Sequence, residues 1–308
     1  MKGLTGLIVS GSTALKFFTR VEYGGDMDCY CHLPQAIAVG LWFLAHDFSF
    51  MPLGNQHDDF AADFVRICKL YDDESPPADT VEGADIGEYR LNNIASVWNF
   101  TRGRLTVQLM TTLCSPLTTI FSFHSTCVMN ILTHSAAYCL FPKLTLERKE
   151  SLLIDLTFPM TEVQAMAVHK YSRRGFDILQ NAPTSSTCNP NSALTFLRPR
   201  FIGDRHSYKI TFEKLAGSAI HDDFIEANSW GMAYLRRLNT ITTADVPITS
   251  AVPYIAFTGD VIDIERHLLA VQGLIEQQVL RRVVNLSPFS VLIDYDLVMK
   301  QPYGQFRP

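Results

Sequence analysis

The chain has 308 residues, of which 47% are hydrophobic, and a formal net charge of -5 at pH 7. This length and apolar content are enough for one large domain, or two closely packed ones, with a well-buried core. The negative charge excludes a basic surface covering the whole protein, of the kind that general nucleic-acid binders use, but it is compatible with a local basic patch.

The first third of the chain alternates between strand-like and helix-like patterns. Residues 4–10 are typical of a buried strand, and Gly11-Ser12-Thr13 follows as the start of a helix capped by a small hydroxyl residue. A Gly24-Gly25 turn leads into a strand over 26–31, whose alternation puts Asp26 and Asp28 on one face. Helices are predicted from Pro34 to about residue 47 and over 57–71, with an acidic loop over 72–88.

Strands give way to helices further along the sequence. Residues 94–100 and 105–112 predict a hairpin joined by 101–104. Ser115-Pro116 predicts the start of a helix reaching about residue 139. Beyond it we expect helices over 161–179, 220–237 and 260–284, a polar loop over 182–193 and a strand over 207–212. Strands concentrated in the first 115 residues and helices afterwards favour an α+β fold over a doubly wound α/β fold.

The front of the chain combines two features that suit one chemistry. A Gly11-Ser12 turn at a helix start offers backbone N–H groups and a hydroxyl to a phosphate. Asp26 and Asp28, two residues apart on a strand, are able to share Mg²⁺, which favours carboxylates together with substrate phosphates. Two such metals assist an in-line phosphoryl displacement. The alternative is a surface turn beside two solvated aspartates.

These residues resemble the nucleotidyltransferase (DNA polymerase β-like) superfamily, whose pattern is a hydrophobic residue, G-[GS], ten to thirteen residues, and D-x-[DE]. Here it reads Val9-Ser10-Gly11-Ser12, thirteen residues, then Asp26-Met27-Asp28. This resemblance covers about residues 4–115. Across most of the chain, the segments SGSTALKFF, FSFHSTCVMN, KYSRRGF and GDRH are similar to uncharacterised nucleotidyltransferase-like proteins of mushroom-forming fungi.

The resemblance implies an activity and, together with the helices predicted from the sequence pattern, a domain organisation. Residues 1–141 would form a nucleotidyltransferase-like mixed sheet with helices, and residues 142–308 a mainly helical domain packed against it. Asp26 and Asp28 would hold Mg²⁺ or Mn²⁺, while Gly11 and Ser12 bind the phosphates. The expected reaction transfers a nucleoside monophosphate from an NTP such as ATP to an unknown acceptor, either RNA or protein.

The sequence departs from the family pattern at the third carboxylate, which lies on a later strand. The strand over 105–110 has Gln108 at the expected place. Glutamine carries no charge and is a poor general base, although its carbonyl can contact one metal. Three interpretations follow: a degenerate site that still binds nucleotide, replacement by Asp85 or Glu88, or chemistry with a single metal. Gln108 is also compatible with a polar residue on an exposed strand face.

Positive charge recurs in the second half. Lys170, Arg173 and Arg174 are candidates for holding a triphosphate or an RNA backbone. Cations in the last turn of a helix are also ordinary helix stabilisers. A second basic loop, Gly203-Asp204-Arg205-His206 after Arg198 and Arg200, either faces a cleft or forms a local turn.

Cysteine usage and hydropathy predict the compartment. The seven cysteines form no paired C-x-x-C modules, which favours reduced thiols over a disulfide framework. The apolar run 4–9 is too short for a signal peptide, and none approaches the roughly 18 residues of a membrane span. We therefore expect a cytoplasmic protein without membrane contact, of undetermined oligomeric state. A nucleotide- or RNA-binding relative without activity and a protein–protein scaffold are the rival functions.

Overall fold

The computed structural model describes residues 5–72, 94–112, 115–154, 160, 162–180, 194, 200–213, 223, 225–226, 228–235 and 240–246. By its internal contacts the chain divides into two compact units, residues 1–181 with 205–223 and residues 182–204 with 224–308. In the part described, no helix is long and apolar enough to cross a membrane.

The elements of both units follow one another in chain order. They are β1 (Ile8–Ser10), α1 (Gly11–Thr19), β2 (Met27–His32), α2 (Leu33–Leu44), β3 (Ser49–Met51), α3 (Phe60–Asp72), β4 (Ile94–Arg102), β5 (Leu105–Thr112), α4 (Pro116–Phe121), β6 (Asn130–Leu132), β7 (Ala136–Cys139), β8 (Glu150–Leu152), α5 (Glu162–Arg173), β9 (Asp177–Leu179), β10 (Arg200–Phe201), β11 (Tyr208–Thr211), β12 (Ser229–Leu235) and β13 (Thr240–Val246). A 3-10 turn spans Thr126–Val128 and a π-helix spans Lys143–Arg148.

An eight-stranded sheet organises the first unit, in the order β11-β7-β6-β1-β2-β5-β4-β3. Its neighbouring strands are antiparallel except for β2 and β5, which run parallel with Asp28 beside Gln108. Strands β8 and β9 form a separate parallel pair. The α+β class expected from the sequence is confirmed.

The main core lies on the sheet face that α2 and α3 cover. Alternate strand residues point to this face, and all are buried among the helix side chains: Leu7, Val9, Cys29, Cys31, Trp98, Phe100, Val107 and Leu109. Phe60 of α3 makes edge-to-face contacts with Trp98 and Phe100, at centroid distances of 5.3 and 5.2 Å. Gly40 of α2 lies directly over the Phe60 ring, where a Cβ would overlap it. Close packing of aromatic rings therefore holds these two helices to the sheet.

A buried carboxylate, Asp63, also ties α3 to this face. Its Oδ2 accepts from Trp98 Nε1 at 2.7 Å, and its Oδ1 accepts from Arg66 Nε at 2.7 Å and His57 N at 2.9 Å. Burial alone would raise the Asp63 pKa, but these donors and the Arg66 charge outweigh it and lower the pKa. The carboxylate is thus kept ionised in the core by its partners.

Helices α1 and α4 contact the sheet outside this core, α1 at β1, β2 and β6 and α4 at β2 and β5. The opposite face of the sheet carries the alternate strand residues. Tyr30 of β2 points to this face and contacts the Phe123 ring, at a centroid distance of 6.1 Å. At the start of β2, however, the residues on this face are polar. The two faces of the same strands therefore differ in chemistry at the point where β1 meets α1.

The hairpin agrees with the sequence prediction, as do the helices expected from Pro34 and over 57–71, which are α2 and α3. The helix expected over 161–179 is shorter, because α5 ends at Arg173 and Asp177–Leu179 forms β9. The long helix expected from Ser115 to about residue 139 is wrong. Ser115 does cap α4, because its Oγ accepts from Leu117 N at 3.0 Å, but this helix ends at Phe121. The chain continues through a 3-10 turn into β6 and β7. Thr126 and Asn130 find their partners outside a helix: Thr126 Oγ1 accepts from Leu152 N and Asn130 Nδ2 donates to Cys127 O.

The second unit contains a three-stranded antiparallel sheet in the order β10-β12-β13. The helix expected over 220–237 is therefore wrong where β12 runs, over Ser229–Leu235. The strand expected over 207–212 is confirmed as β11, which pairs with β7. The acidic loop over 72–88 (apart from its first residue), the polar loop over 182–193 and the helix over 260–284 lie outside the described residues.

Candidate functional site

Gly11 and Asp28 meet where β1 turns into α1. Ser10 pairs with Asp28 across β1 and β2, and the chain then turns at Gly11 with a φ of +64°. A Cβ on Gly11 would overlap Asp28 Oδ2 and lie 3.2 Å from Asp28 Cγ. Glycine is therefore needed at residue 11 for two reasons, the left-handed backbone and the close approach of the carboxylate. Asp28 consequently lies against the N-terminal end of a helix, where negative charge is stabilised.

The hydroxyl groups around this helix start do not act as the sequence predicted. Ser10 occupies the N-cap position, but its side chain makes no capping hydrogen bond and instead donates to Asn130 O at 2.6 Å. Ser12 lies inside the first turn of α1 and is buried. The expectation that a small hydroxyl side chain caps this helix is therefore wrong.

Asp26 lies one residue before β2, in the turn formed by Gly24 and Gly25, whose φ values are +64° and +98°. Thr13 Oγ1 donates to Asp26 O at 3.3 Å, so the turn is tied to the first turn of α1. A Cβ on Gly25 would lie 3.7 Å from Ser12 Oγ. The strand expected over 26–31 is thus shifted by one residue, to Met27–His32. Asp28 projects from the strand, while Asp26 projects from the turn beside it.

Arg174, just after α5, reaches the same turn from 151 residues away. Its Nη2 donates to Tyr23 O at 3.1 Å, and its guanidinium lies over the rings of Tyr23 and Tyr171, at 4.9 and 5.0 Å. Its Nη1 is buried and has no hydrogen-bond partner in the structure as described. Arg174 therefore supplies a cation beside the turn that carries Asp26.

The other two predicted cations lie elsewhere on α5. Lys170 is half-buried and acts on His124, whose pKa is lowered to about 4 by burial first and by the Lys170 charge second. Arg173 is exposed. Of the three, the structure brings only Arg174 to the Asp26 turn through a described contact.

Gln108 occupies the position beside Asp28 in the parallel β2–β5 pair. It also pairs with Asn99 of β4, and Asn99 pairs with Met51 of β3. Their strand neighbours Trp98, Phe100, Val107 and Leu109 point into the helix-covered core. Gln108 and Asn99 are therefore on the other face, in one row with Asp28.

Two carboxylates lie near the start of α1, Asp28 in the row and Asp26 in the turn before β2. Among the described residues, no group of three or more His, Cys, Asp or Glu side chains is close enough to hold a metal ion. Asp85 and Glu88, the alternatives for a third carboxylate, lie outside the described ranges. Two carboxylates suit Mg²⁺ bound jointly by protein and phosphate oxygens better than a closed protein cage.

The second basic loop has a structural explanation within the second unit. Arg200 is buried, and its Nε and Nη2 donate to both oxygens of Asp204 at 2.9 Å. The Arg200 guanidinium also lies over the Trp230 ring, 4.5 Å from its centroid. Because its donors are paired in this way, the Arg200 guanidinium has a structural role. Arg198 is not among the described residues, and Arg205 is exposed.

Sequence reasoning missed the partners of these residues. Nothing in the local pattern links Arg174 to Tyr23, because that contact joins residues 151 positions apart. The hairpin register was the one available signal, since a turn at Gly103 puts Asn99 opposite Gln108. Comparison of the chain with protein-family models, curated proteins and solved structures finds no match.

Proposed function

We propose that this protein binds a nucleoside triphosphate with Mg²⁺ at the Gly11–Asp28 site and transfers its nucleoside monophosphate to an acceptor. The acceptor gives up a proton, its oxygen bonds to the α-phosphorus, and pyrophosphate leaves. The observation that carries the proposal is the packing of the Asp28 carboxylate against Gly11 at the start of α1. This arrangement joins a carboxylate to a backbone suited to phosphate.

Some residues of the site would bind the metal, and others would bind phosphate. Asp26 and Asp28 would hold Mg²⁺ or Mn²⁺ from the turn and the strand. The first-turn N–H groups of α1, at Gly11 and Ser12, would bind phosphate oxygens. The buried Nη1 of Arg174 is a further donor close to the turn. A guanidinium suits phosphate, because its donors match the spacing of two phosphate oxygens.

A divalent cation would offset the charge repulsion expected between Asp28 and a bound phosphate. The Asp28 carboxylate already lies at the helix terminus, so a phosphate arriving there would meet a like charge. Bound Mg²⁺ would neutralise both groups and polarise the α-phosphate. The residues present therefore fit a metal that arrives with the nucleotide.

Nucleotide binding without transfer is the second candidate, and Gln108 favours it. This uncharged side chain stands beside Asp28, where the family pattern has a carboxylate. With two carboxylates, the attraction for a second dication is weaker and the acceptor proton has one base fewer. The site would then retain nucleotide binding and lose turnover.

Both candidates are tested on the full-length protein with the four NTPs, in Mg²⁺ and in Mn²⁺. Pyrophosphate release and transfer of α-labelled nucleotide to RNA or protein report turnover, and the shift in melting temperature reports binding. The double variant Asp26→Ala, Asp28→Ala should lose both signals. Asp58→Ala, an exposed aspartate just before α3, should keep them.

The outcomes separate the candidates. Release of pyrophosphate that disappears in the double variant supports transfer. A thermal shift without release supports binding alone. If neither signal exceeds that of the double variant, both functions are refuted and a scaffold role is favoured.

A further inference from the structure

We infer that Asn99 and Gln108 recognise the base of the bound nucleotide, and that this base is adenine. The inference rests on the proposed function, because it assumes a triphosphate held at Asp28. It assigns to Gln108 a role other than that of a missing metal ligand.

The row runs from the proposed phosphate end to the edge of the sheet. Asp28 pairs with Gln108, Gln108 with Asn99, and Asn99 with Met51, so the four residues lie on consecutive strands. Neighbouring strands are about 4.8 Å apart, which puts Gln108 about 5 Å and Asn99 about 10 Å from Asp28 along the row. A nucleotide whose phosphates bind at Asp28 would extend its base along these residues.

The chemistry of the row changes with distance from Asp28. The carboxylate is followed by two neutral amides, each of which has both a donor and an acceptor. Amides suit the neutral edge of a base, whereas phosphate attracts cations. Asparagine and glutamine characteristically form paired hydrogen bonds with adenine, donating to a ring nitrogen and accepting from the exocyclic amine.

Two further observations point to a ligand at the amides. Asn99 Oδ1 is buried and has no hydrogen-bond partner within the described ranges, although the side chain as a whole is half-buried. A buried acceptor of this kind requires a donor from elsewhere. Met51, which ends the row, is 49% exposed. A thioether beside the amides gives an aromatic base a favourable apolar contact.

The test measures affinity of the full-length protein for ATP, GTP, CTP, UTP and inorganic triphosphate, all with Mg²⁺. The wild type should bind ATP at least about tenfold more tightly than the least favoured NTP. Asn99→Ala and Gln108→Ala should each reduce this ratio to about twofold. Affinity for inorganic triphosphate should stay unchanged, because this probe has no base.

Two variants control for damage to the sheet. Thr101→Ala changes a residue on the same strand and face, paired with Thr106, and should keep the wild-type ratio. Asn99→Asp keeps the shape and removes the amide donors, so it should also lose the preference for ATP even if Asn99→Ala fails to fold. Melting temperatures identify any variant that is unfolded.

The outcomes distinguish this inference from the proposed function. Binding of triphosphate with equal affinity for all four NTPs, or a preference for a base other than adenine, overturns the inference alone. The inference alone is also overturned if Asn99→Asp keeps the preference for ATP. Loss of the preference for ATP in Thr101→Ala would overturn it as well. Absence of binding by every NTP and by triphosphate refutes the proposed function, and the inference with it.

Discussion

The two faces of the eight-stranded sheet use alternate residues of the same strands for different purposes. One face packs Trp98, Phe100 and their neighbours under α2 and α3, and its buried charge, Asp63, has three hydrogen-bond donors. The other face carries the Asp28–Gln108–Asn99 row, in which each side chain is half-buried. The residues that stabilise the fold and the residues of the candidate site are therefore separated by a single residue step along a strand.

The largest loss of stability is expected for a substitution on the helix-covered face. Phe60→Ala should lower the free energy of unfolding by about 3–5 kcal/mol, because a fully buried ring leaves a cavity among Trp98 and Phe100. Urea denaturation measures the change. Leu41→Ala on α2, where the side chain is 48% exposed, should cost less than about 0.5 kcal/mol. Equal losses in the two variants would contradict the packing described.

An intermediate, pH-dependent loss of stability is expected from His124, which is buried beside the ring of Tyr171. Its folded pKa of about 4 lies below the ordinary value of 6.5, because of burial and the Lys170 charge. As the pH falls, His124 is therefore protonated in the unfolded chain before it is protonated in the folded protein. The free energy of unfolding is retained above pH 6.5 and decreases as the pH falls towards 4. Between pH 7 and pH 5 this group should cost about 2 kcal/mol.

His124→Gln removes that titration. Its free energy of unfolding should fall less than that of the wild type between pH 7 and pH 5, as measured by urea denaturation at each pH. His169→Gln, at an exposed position on α5, should follow the wild type. A His124→Gln profile parallel to the wild type would contradict the assignment.

The smallest effect on stability, and the most informative for function, is expected at Gln108. Gln108→Asp puts a second carboxylate beside Asp28 and should destabilise the metal-free protein by about 1 kcal/mol, since like charges face each other across neighbouring strands. Mg²⁺ should restore the melting temperature, and EDTA should lower it again. Thr106→Asp, two residues earlier on the same strand face, should show no response to Mg²⁺. A Gln108→Asp variant equally indifferent to Mg²⁺ would argue against a metal at Asp28.

Local signals predicted much of the sheet that positions the site. Gly103 between two alternating runs was sufficient to predict the β4–β5 hairpin. Pro34 was sufficient to predict the start of α2. The motif assigned Gly11 and Asp28 to one site, and the structure places the Asp28 carboxylate against Gly11. These features depend on residues near one another in sequence, or on a backbone conformation that glycine favours.

The remaining features depend on partners distant in sequence. The run after Pro116 contains no glycine or proline before residue 139, so nothing local distinguishes a long helix from two strands of three and four residues. Arg200 lies over the ring of Trp230, a contact that the sequence of the basic loop does not indicate. The shift of β2 by one residue, which leaves Asp26 in a turn, reflects the tie from Thr13 to Asp26 O rather than strand propensity.

The single parallel pair in the large sheet, β2 with β5, has a kinetic consequence. The β4–β5 hairpin closes over a short turn, but Asp28 meets Gln108 only after the chain closes a loop of about 80 residues. We expect the hairpin to form early and this pairing late in folding. The row that bears the candidate site would then exist only after this pairing has formed, so nucleotide binding would report that step of folding.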